Sequence, residues 1–280
     1  MDSGNPLKAM RVNVLLILFI SIVSTPAFGE PRRVVSMNLC ADQLLVLLAD
    51  RPAILSLSPL SRDPVLSYVA PLVKDLPQNH GMAEEIYPLK PDLVLAGSHT
   101  ARPTVAFLKS RGIPVLELSI PRDFNEIRDQ LRRVADALGR TARGEELITA
   151  MDRLLDEVPA RAGSRPLALA WQAGGFTAGT GTLTDAVFEA AGVENLAARS
   201  GLAGYGYIGL ETVVAGRPDL LVSEHAMPGR PSLQQALLQH PALADGSGIG
   251  HRIDVPSALT ACGGPFTAEA VRIIRQASEP

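Results

Sequence analysis

The chain lacks any excess of positive charge. It carries 26 Lys and Arg residues against 29 Asp and Glu residues, so its net charge is −3. A protein that binds nucleic acid or another polyanion nonspecifically needs a basic surface. We therefore exclude a generic nucleic-acid-binding protein. Beyond its N-terminal segment, the chain also lacks an apolar run of the length that a membrane span needs, which is about 20 residues.

The chain also lacks the motifs of hydrolases and nucleotide-binding enzymes. There is no G-x-S-x-G and no H-E-x-x-H sequence, so the parts of those hydrolytic mechanisms are missing. Residues 204–209 fit G-x-G-x-x-G, but no predicted strand precedes them, as a dinucleotide site requires. The Gly-rich segment 174–181 offers backbone N–H groups to an anion, yet it lacks the Gly-Lys-Ser/Thr ending of a nucleotide-binding loop. We predict that the protein is not an enzyme and has no cofactor.

The first 29 residues are predicted to be a signal peptide. Lys8 and Arg11 form a basic n-region, residues 12–24 form an apolar h-region, and residues 27–29 (Ala-Phe-Gly) fit a cleavage site. The alternative is an uncleaved membrane anchor, but a largely apolar stretch of thirteen residues is short for a transmembrane helix. The sequence thus predicts export to the periplasm and a mature chain that begins at Glu30.

One phrase of the sequence occurs twice. Residues 84–95 and residues 211–222 both read as an acidic residue, a short helix, a basic residue, Pro-Asp-Leu and a buried strand. The two copies align on Glu84 and Glu211. A repeated unit of this kind predicts two similar α/β lobes with a cleft between them.

Between the two copies, residues 141–158 are predicted to form a rigid helix, and an amphipathic helix at residues 124–138 precedes it. We expect Thr141 to cap the start of the later helix and Pro159 to stop it. About 17 helical residues would span roughly 26 Å, the width of a small domain. The buried stripe of this helix is predicted to consist of Leu147, Ile148, Met151, Leu154, Leu155 and Val158.

Strands alternate with helices on both sides of this segment, which is typical of parallel sheets covered on both faces. The predicted strands of the first half are 33–38, 53–57, 93–96 and 114–118. Those of the second half are 167–171, the strand of the second repeated phrase, which ends at residues 223–225, and 252–255. The predicted helices of the second half are 183–191, 233–238 and 267–276. The fold class is therefore α/β: two Rossmann-like lobes with parallel sheets, joined by a long connecting helix. The predicted divisions are 30–120 for the N-terminal lobe, 121–160 for the connecting helices and 161–280 for the C-terminal lobe.

The repeat, the connecting helix and the strand–helix opening at residues 34–48 together resemble the helical-backbone (class III) periplasmic binding proteins of ABC importers. The resemblance covers residues 31–280. It implies a monomeric, non-enzymatic protein that carries a metal chelate, either a corrinoid or a ferric siderophore, to a membrane permease. It also implies that Glu84 and Glu211, one on each lobe tip, pair with arginines of the permease subunits. The alternative is that each glutamate only favours the dipole of its helix.

Ligands of open parallel sheets bind beyond the carboxyl ends of the strands. That rule nominates the candidate ligand-binding residues Cys40, Arg62, His99, Trp171, Tyr205, Tyr207, His225 and Cys262. Arg62 would pair with a ligand carboxylate or remain a surface arginine. Trp171, the only Trp, would stack on the ligand or fill the core of its lobe.

His99 and His225 follow the two repeated strands at similar positions. Histidines there are loop residues that form hydrogen bonds, or a symmetric pair that grips a metal or an acidic group. No H-x-x-x-H or C-x-x-C spacing supports a metal site, so none is assigned. A bare transition-metal ion or haem remains the alternative ligand, and a chelatase-like enzyme is a more distant one.

Cys40 and Cys262 are the only two cysteines. An even number of cysteines in an exported protein favours a disulfide, which would tie the two lobes together. Thiols that contact the ligand or a metal, and thiols that are simply buried, are the other possibilities.

Overall fold

The computed structural model describes residues 1, 31–159, 161, 163–224, 238, 240–243 and 248–279. The predicted signal peptide, His225 and most of the helix predicted at residues 233–238 lie outside these residues. In the part of the chain that is described, no helix combines the length and apolar character of a membrane span.

The first lobe is built on a four-stranded parallel sheet. Its elements are β1 (Val34–Ser36), α1 (Leu39–Leu48), β2 (Ile54–Ser56), α2 (Ala83–Ile86), β3 (Leu93–Gly97), α3 (Arg102–Ser110) and β4 (Val115–Leu118). The strand order is β2-β1-β3-β4, and Val34 pairs with both Ile54 and Leu93. The central strands are buried along their length, as sheets covered on both faces require.

Two antiparallel helices connect the lobes, α4 (Phe124–Ala137) and α5 (Thr141–Asp156). The prediction for the start of α5 is wrong, because Arg140 is the capping residue and the Thr141 hydroxyl donates to Asp136 of α4 instead. The 16 residues of α5 are fewer than expected. The helices approach closely at Gly144, where an added Cβ would lie 2.6 Å from the Cβ of Ala135.

The second lobe contains another four-stranded parallel sheet, in the order β10-β9-β5-β7. Its elements are β5 (Leu167–Ala170), β6 (Phe176–Ala178), α6 (Leu183–Ala190), β7 (Glu194–Asn195), α7 (Leu196–Arg199), β8 (Tyr205–Tyr207), α8 (Leu210–Gly216), β9 (Leu220–Glu224), β10 (His251–Val255), α9 (Ser257–Thr260) and α10 (Thr267–Ala277). The segment predicted as a Gly-rich loop holds β6, which pairs antiparallel with β8. This hairpin was not predicted from the sequence.

The two sheets share one topology, because β5, β7, β9 and β10 take the places of β1, β2, β3 and β4. In each lobe the aspartate of the repeated phrase accepts a backbone N–H where the first strand begins. The distance is 3.0 Å for Asp92 and 2.7 Å for Asp219. The basic residues Lys90 and Arg217 both end the preceding helical segment with a left-handed backbone, at φ 47° and 46°. The repeated phrase therefore forms the same local structure twice.

Alternate residues of the strands enter three hydrophobic cores. The back core is continuous through both lobes and contains α1, α4, α5, α6 and α10. Each lobe also has its own front core: the first packs α2 and α3 on one face of its sheet, and the second packs α7 and α8. The lobes are thus joined through packed apolar side chains at the back, whereas their front cores are separate.

Candidate ligand cleft

The first lobe contributes a cavity of about 230 Å³ at the carboxyl ends of β1, β3 and β4. This is the edge at which parallel sheets bind ligands. Its wall is mixed, with polar groups from Asn38, Ser98, His99, Thr100 and Ser119 and apolar groups from Leu39, Leu60, Leu118 and Ile120. Leu60 and Ile120 are 48% and 60% exposed, so this half of the cleft offers an apolar rim around a polar floor.

Asn38 organises the polar floor of this cavity. Its Oδ1 accepts the N–H of Ala41 at 2.9 Å and thereby caps α1, while its Nδ2 donates to Oγ1 of Thr100 at 2.9 Å. These bonds hold the loop after β3 against the loop after β1. A Cβ on Gly97 would lie 2.2 Å from Nδ2 of Asn38, so the arrangement depends on glycine at that position.

The second lobe contributes an aromatic hairpin at the carboxyl end of β5. Phe176 of β6 is parallel to Tyr205 of β8, with ring centroids 6.0 Å apart, and meets Tyr207 edge-on at 5.5 Å. The tyrosines remain 55% and 73% exposed. Exposed rings held by such a cluster can stack on a flat ligand without losing much side-chain entropy on binding.

Trp171 does not belong to the exposed surface of this lobe. It is 1% exposed and packs in the second front core, and its Nε1 donates to the backbone O of Ile208 at 3.3 Å. The predicted ligand-binding role is therefore wrong for this structure, and the alternative of a core residue is correct. The hairpin covers the end of β5, which is why a strand-end position is buried here.

The other predicted residues are placed as follows. Arg62 lies on a single helical turn after β2 and donates from Nη2 to the backbone O of Leu76 at 2.6 Å, so its side chain is directed along its own loop. His99 is exposed at the first-lobe cavity, but its proposed partner His225 lies outside the described residues. Across the residues that are described, no three His, Cys, Asp or Glu side chains form a group that could hold a metal ion.

Cys40 and Cys262 form a disulfide, with 5.3 Å between their Cα atoms. This settles the three possibilities left open by the sequence. The sulfurs cannot act as thiolate ligands while they are bonded to each other. Cys262 is 3% exposed, whereas Cys40 lines the first-lobe cavity, so only the Cys40 half of the bond borders the cleft.

A buried carboxyl group lies beneath the cavity and was not predicted. Asp42 of α1 is fully buried, and its two oxygens accept the N–H of Ser58 at 3.1 and 3.2 Å and the hydroxyl of the same serine. Burial raises the pKa of Asp42 to about 6, although the bonds from Ser58 and Ser36 act in the opposite direction. The sequence offered one sign of this group, an acidic residue within the apolar run of α1. The Asp42 carboxyl group ties the loop after β2 to α1.

Glu84 and Glu211 occupy the same position in the two lobes, the second residue of α2 and of α8. Both are exposed, and neither carboxylate has a hydrogen bond or ion pair within the described structure. The adjacent Glu85 differs, because it accepts the backbone N–H of His80 at 2.6 Å and contacts its ring at 2.9 Å. These bonds lower the pKa of Glu85. An open groove of about 440 Å³, rimmed by Met82, lies beside Glu84.

Two α/β lobes of one topology, joined at the back by helices and carrying a half-site at the carboxyl edge of each sheet, define the class of two-lobed solute-binding proteins. The sequence profile of the family described as "Periplasmic binding protein" matches residues 34–247, and the chain belongs to that family. The resemblance stated from the sequence is therefore confirmed.

Individual members of this family and solved structures are also similar to the chain. A cobalamin-binding protein of Halobacterium salinarum is 29% identical over 200 residues, which cover 70% of this chain and 54% of the relative. The chain thus spans about half the length of that curated relative. The periplasmic heme-binding protein RhuT from Roseiflexus sp. RS-1, in its apo form, is 25% identical with a TM-score of 0.71, and the match covers 88% of this chain and 99% of that one. The vitamin B12 binding protein BtuF of Vibrio cholerae, at 17% identity and a TM-score of 0.66 over 89% of this chain and 96% of its own, shares the fold.

Proposed function

We propose that the protein is the exported solute-binding component of an ABC importer and that it captures a metal chelate in the cleft. The observation that carries this proposal is the pair of half-sites, one amphipathic and one aromatic, at the carboxyl edges of two sheets with the same topology. Membership of the periplasmic binding protein family supports a binding role rather than catalysis.

The chemistry of the two half-sites favours a large ligand with both apolar and polar surface. The rings of Tyr205 and Tyr207 suit the face of a macrocycle, whereas Leu60 and Ile120 suit its apolar edge. His99 and the hydroxyl groups around it provide hydrogen bonds for polar substituents. A corrinoid satisfies this description, and the relative from Halobacterium salinarum is named for cobalamin. A ferric siderophore is the other member of the proposed class.

Delivery of the chelate rests on Glu84 and Glu211. Each carboxylate stands unpaired at a matching, exposed position, which allows two arginines of the two permease subunits to be engaged at once. Charged pairs at such a rim set orientation and association rate more than affinity. We further propose that the protein works as a periplasmic monomer released by cleavage after residue 29.

The test is a binding titration of purified mature protein with cyanocobalamin, haemin and ferrichrome, followed by absorbance of the chelate and by calorimetry. A chelate that binds stoichiometrically supports the proposal, and the Tyr207→Ala variant should then bind it about tenfold more weakly because a stacking surface is lost. Tyr87→Ala is the matched control, since Tyr87 is also exposed but lies beside Glu84 and away from the cleft. Failure to bind any chelate, with free metal ions tested in parallel, would refute the proposal.

Haem is the second candidate ligand. The aromatic hairpin suits a planar porphyrin as well as a corrin, and the similar protein from Roseiflexus is named for heme. Preferential binding of haemin over cyanocobalamin in the same titration would select this candidate. A bare transition-metal ion is less favoured, because both cysteine sulfurs are occupied by the disulfide.

A further inference from the structure

The lobes are connected at a second place besides α4 and α5. The segment 261–266, between α9 and α10 of the second lobe, reaches the first lobe through the Cys40–Cys262 disulfide. The two cysteines are 222 residues apart in sequence. Cys40 lies in the first turn of α1, directly after β1, so the bond attaches the second lobe beside the first-lobe cavity.

The same segment packs against the start of α4. A Cβ added to Gly263 would lie 2.1 Å from Cγ of Pro121 and 3.2 Å from Cγ1 of Ile127. Contact this close leaves no room for a side chain at residue 263. The residue that follows Cys262 is therefore held against the start of the connecting helices.

An aromatic contact reinforces the disulfide. Tyr68, in the loop after β2 of the first lobe, stacks on Phe266 of the second lobe, with centroids 4.6 Å apart and planes 18° apart. Burial, together with the nearby carboxylate of Glu269 on α10, raises the pKa of Tyr68. The loop that carries Tyr68 is itself anchored, because the Tyr68 N–H donates to Oε1 of the buried Gln43 at 2.7 Å.

We propose that the disulfide and the Tyr68–Phe266 stack form a clasp that sets the width of the ligand gap. The clasp residues are positioning residues: they fix the distance between the first-lobe cavity and the aromatic hairpin. A chelate must touch both half-sites at once, so its affinity depends on how often the gap has the correct width. This inference rests on the proposed function for the identity of the ligand, but the width of the gap can be measured without one.

The first experiment measures the distance between the lobes in the mature protein. Spin labels are attached by non-cysteine chemistry at Ala106 on α3 and Ala215 on α8, two exposed residues on the front of each lobe. We expect one narrow distance distribution in the unmodified protein. Cys40→Ser combined with Cys262→Ser should broaden it, and Tyr68→Leu should broaden it to a smaller extent with the disulfide intact. Tyr68→Phe, which keeps the ring and loses only the hydroxyl, is the matched control and should stay closest to the unmodified protein.

Unchanged distributions in both the serine pair and Tyr68→Leu would overturn the clasp. If the serine pair does not fold, Tyr68→Leu alone decides, because it alters neither cysteine. The second experiment measures dissociation constants for whichever of cyanocobalamin, haemin or ferrichrome the unmodified protein binds. If a variant has the gap width that is competent for binding only about one-tenth of the time, its affinity for the chelate falls about tenfold. Weaker binding with an unchanged distance would also overturn the clasp, since it would indicate direct contact between Cys40 and the ligand. Absence of binding by the unmodified protein would refute the proposed function, while the distance measurement would still judge the clasp.

Discussion

The buried carboxyl group of Asp42 should make the stability of the protein depend on pH in an unusual direction. Its pKa is about 6 in the folded protein, against 3.8 for the free side chain. A group that binds its proton more tightly when folded contributes its full stabilisation below the unfolded pKa. That contribution is lost as the pH rises through the folded pKa. Stability from Asp42 is therefore highest below its unfolded pKa of 3.8 and falls as the pH rises from there to about 6.5.

The magnitude follows from the difference between the two pKa values. At 1.36 kcal/mol for each unit, the full contribution of Asp42 is about 3 kcal/mol, and about 2 kcal/mol of it should be lost from the free energy of unfolding as the pH rises from 4 to 6.5. Exposed acids such as Glu126 and Glu145, whose pKa values are lowered by Arg122 and Arg132, act in the opposite direction. The comparison must therefore be made between variants that share this background.

The assay is urea unfolding of the mature protein and of Asp42→Asn at several values between pH 4 and pH 7.5. The asparagine does not titrate, so the stability of the variant relative to the parent should rise by about 2 kcal/mol from the lowest pH to the highest. Ser58→Ala supplies a second variant, since loss of its hydroxyl bond to Asp42 should move the window to higher pH. A difference between parent and Asp42→Asn that stays constant with pH would refute the reasoning.

Three further predictions concern the docking residues, the cavity and the connecting helices. Glu84→Gln combined with Glu211→Gln should abolish uptake of the chelate in cells, while the dissociation constant of the chelate in solution stays the same. Glu85→Gln is the control and should leave uptake intact. Weaker chelate binding by the double variant would contradict a docking role for the two glutamates. Gly97→Ala should displace the Asn38 side chain and weaken chelate binding, measured by calorimetry. The loss of stability, measured by urea unfolding, should be only about 1 kcal/mol. An unaltered affinity would show that the Asn38 side chain does not contribute to the ligand site. Gly144→Leu should force α4 and α5 apart and lower the free energy of unfolding by about 1–3 kcal/mol, which is measured as a lower midpoint of thermal unfolding. An unchanged midpoint would show that the two helices separate without a large loss of stability.

The repeated phrase predicted the fold well because its residues act locally. Asp92 and Asp219 bind the start of the neighbouring strand, and Lys90 and Arg217 end a helix, so each copy determines its own turn wherever it occurs. Two copies were therefore enough to predict two lobes of one topology. The cap of α5 was predicted wrongly because Thr141 is the first residue of the helix and not the residue before it, and its hydroxyl donates to Asp136 of the preceding helix.

The composition of the site was less predictable, because it depends on contacts between distant segments. Trp171 ends a strand, as a cleft residue would, but a hairpin too short and too rich in glycine to be recognised folds over it. The disulfide joins residues that are 222 positions apart, and no local pattern distinguishes it from two free thiols. Tyr205 and Tyr207 were found only because strand ends collect ligand-binding residues, and their ring cluster with Phe176 was not visible in the sequence.

The arrangement of the hydrophobic cores indicates where the two lobes can move relative to each other. A hinge that opened at the back would have to separate the apolar side chains that α5 and α10 bury together, including Met151 and Ile274, and packed interiors resist such shear. The front cores impose no such restraint, because neither contains residues of both lobes. Motion is therefore cheapest at the front, where Glu84 and Glu211 stand at matching positions on α2 and α8. A partner that pulls on both carboxylates would therefore act where the lobes resist separation least.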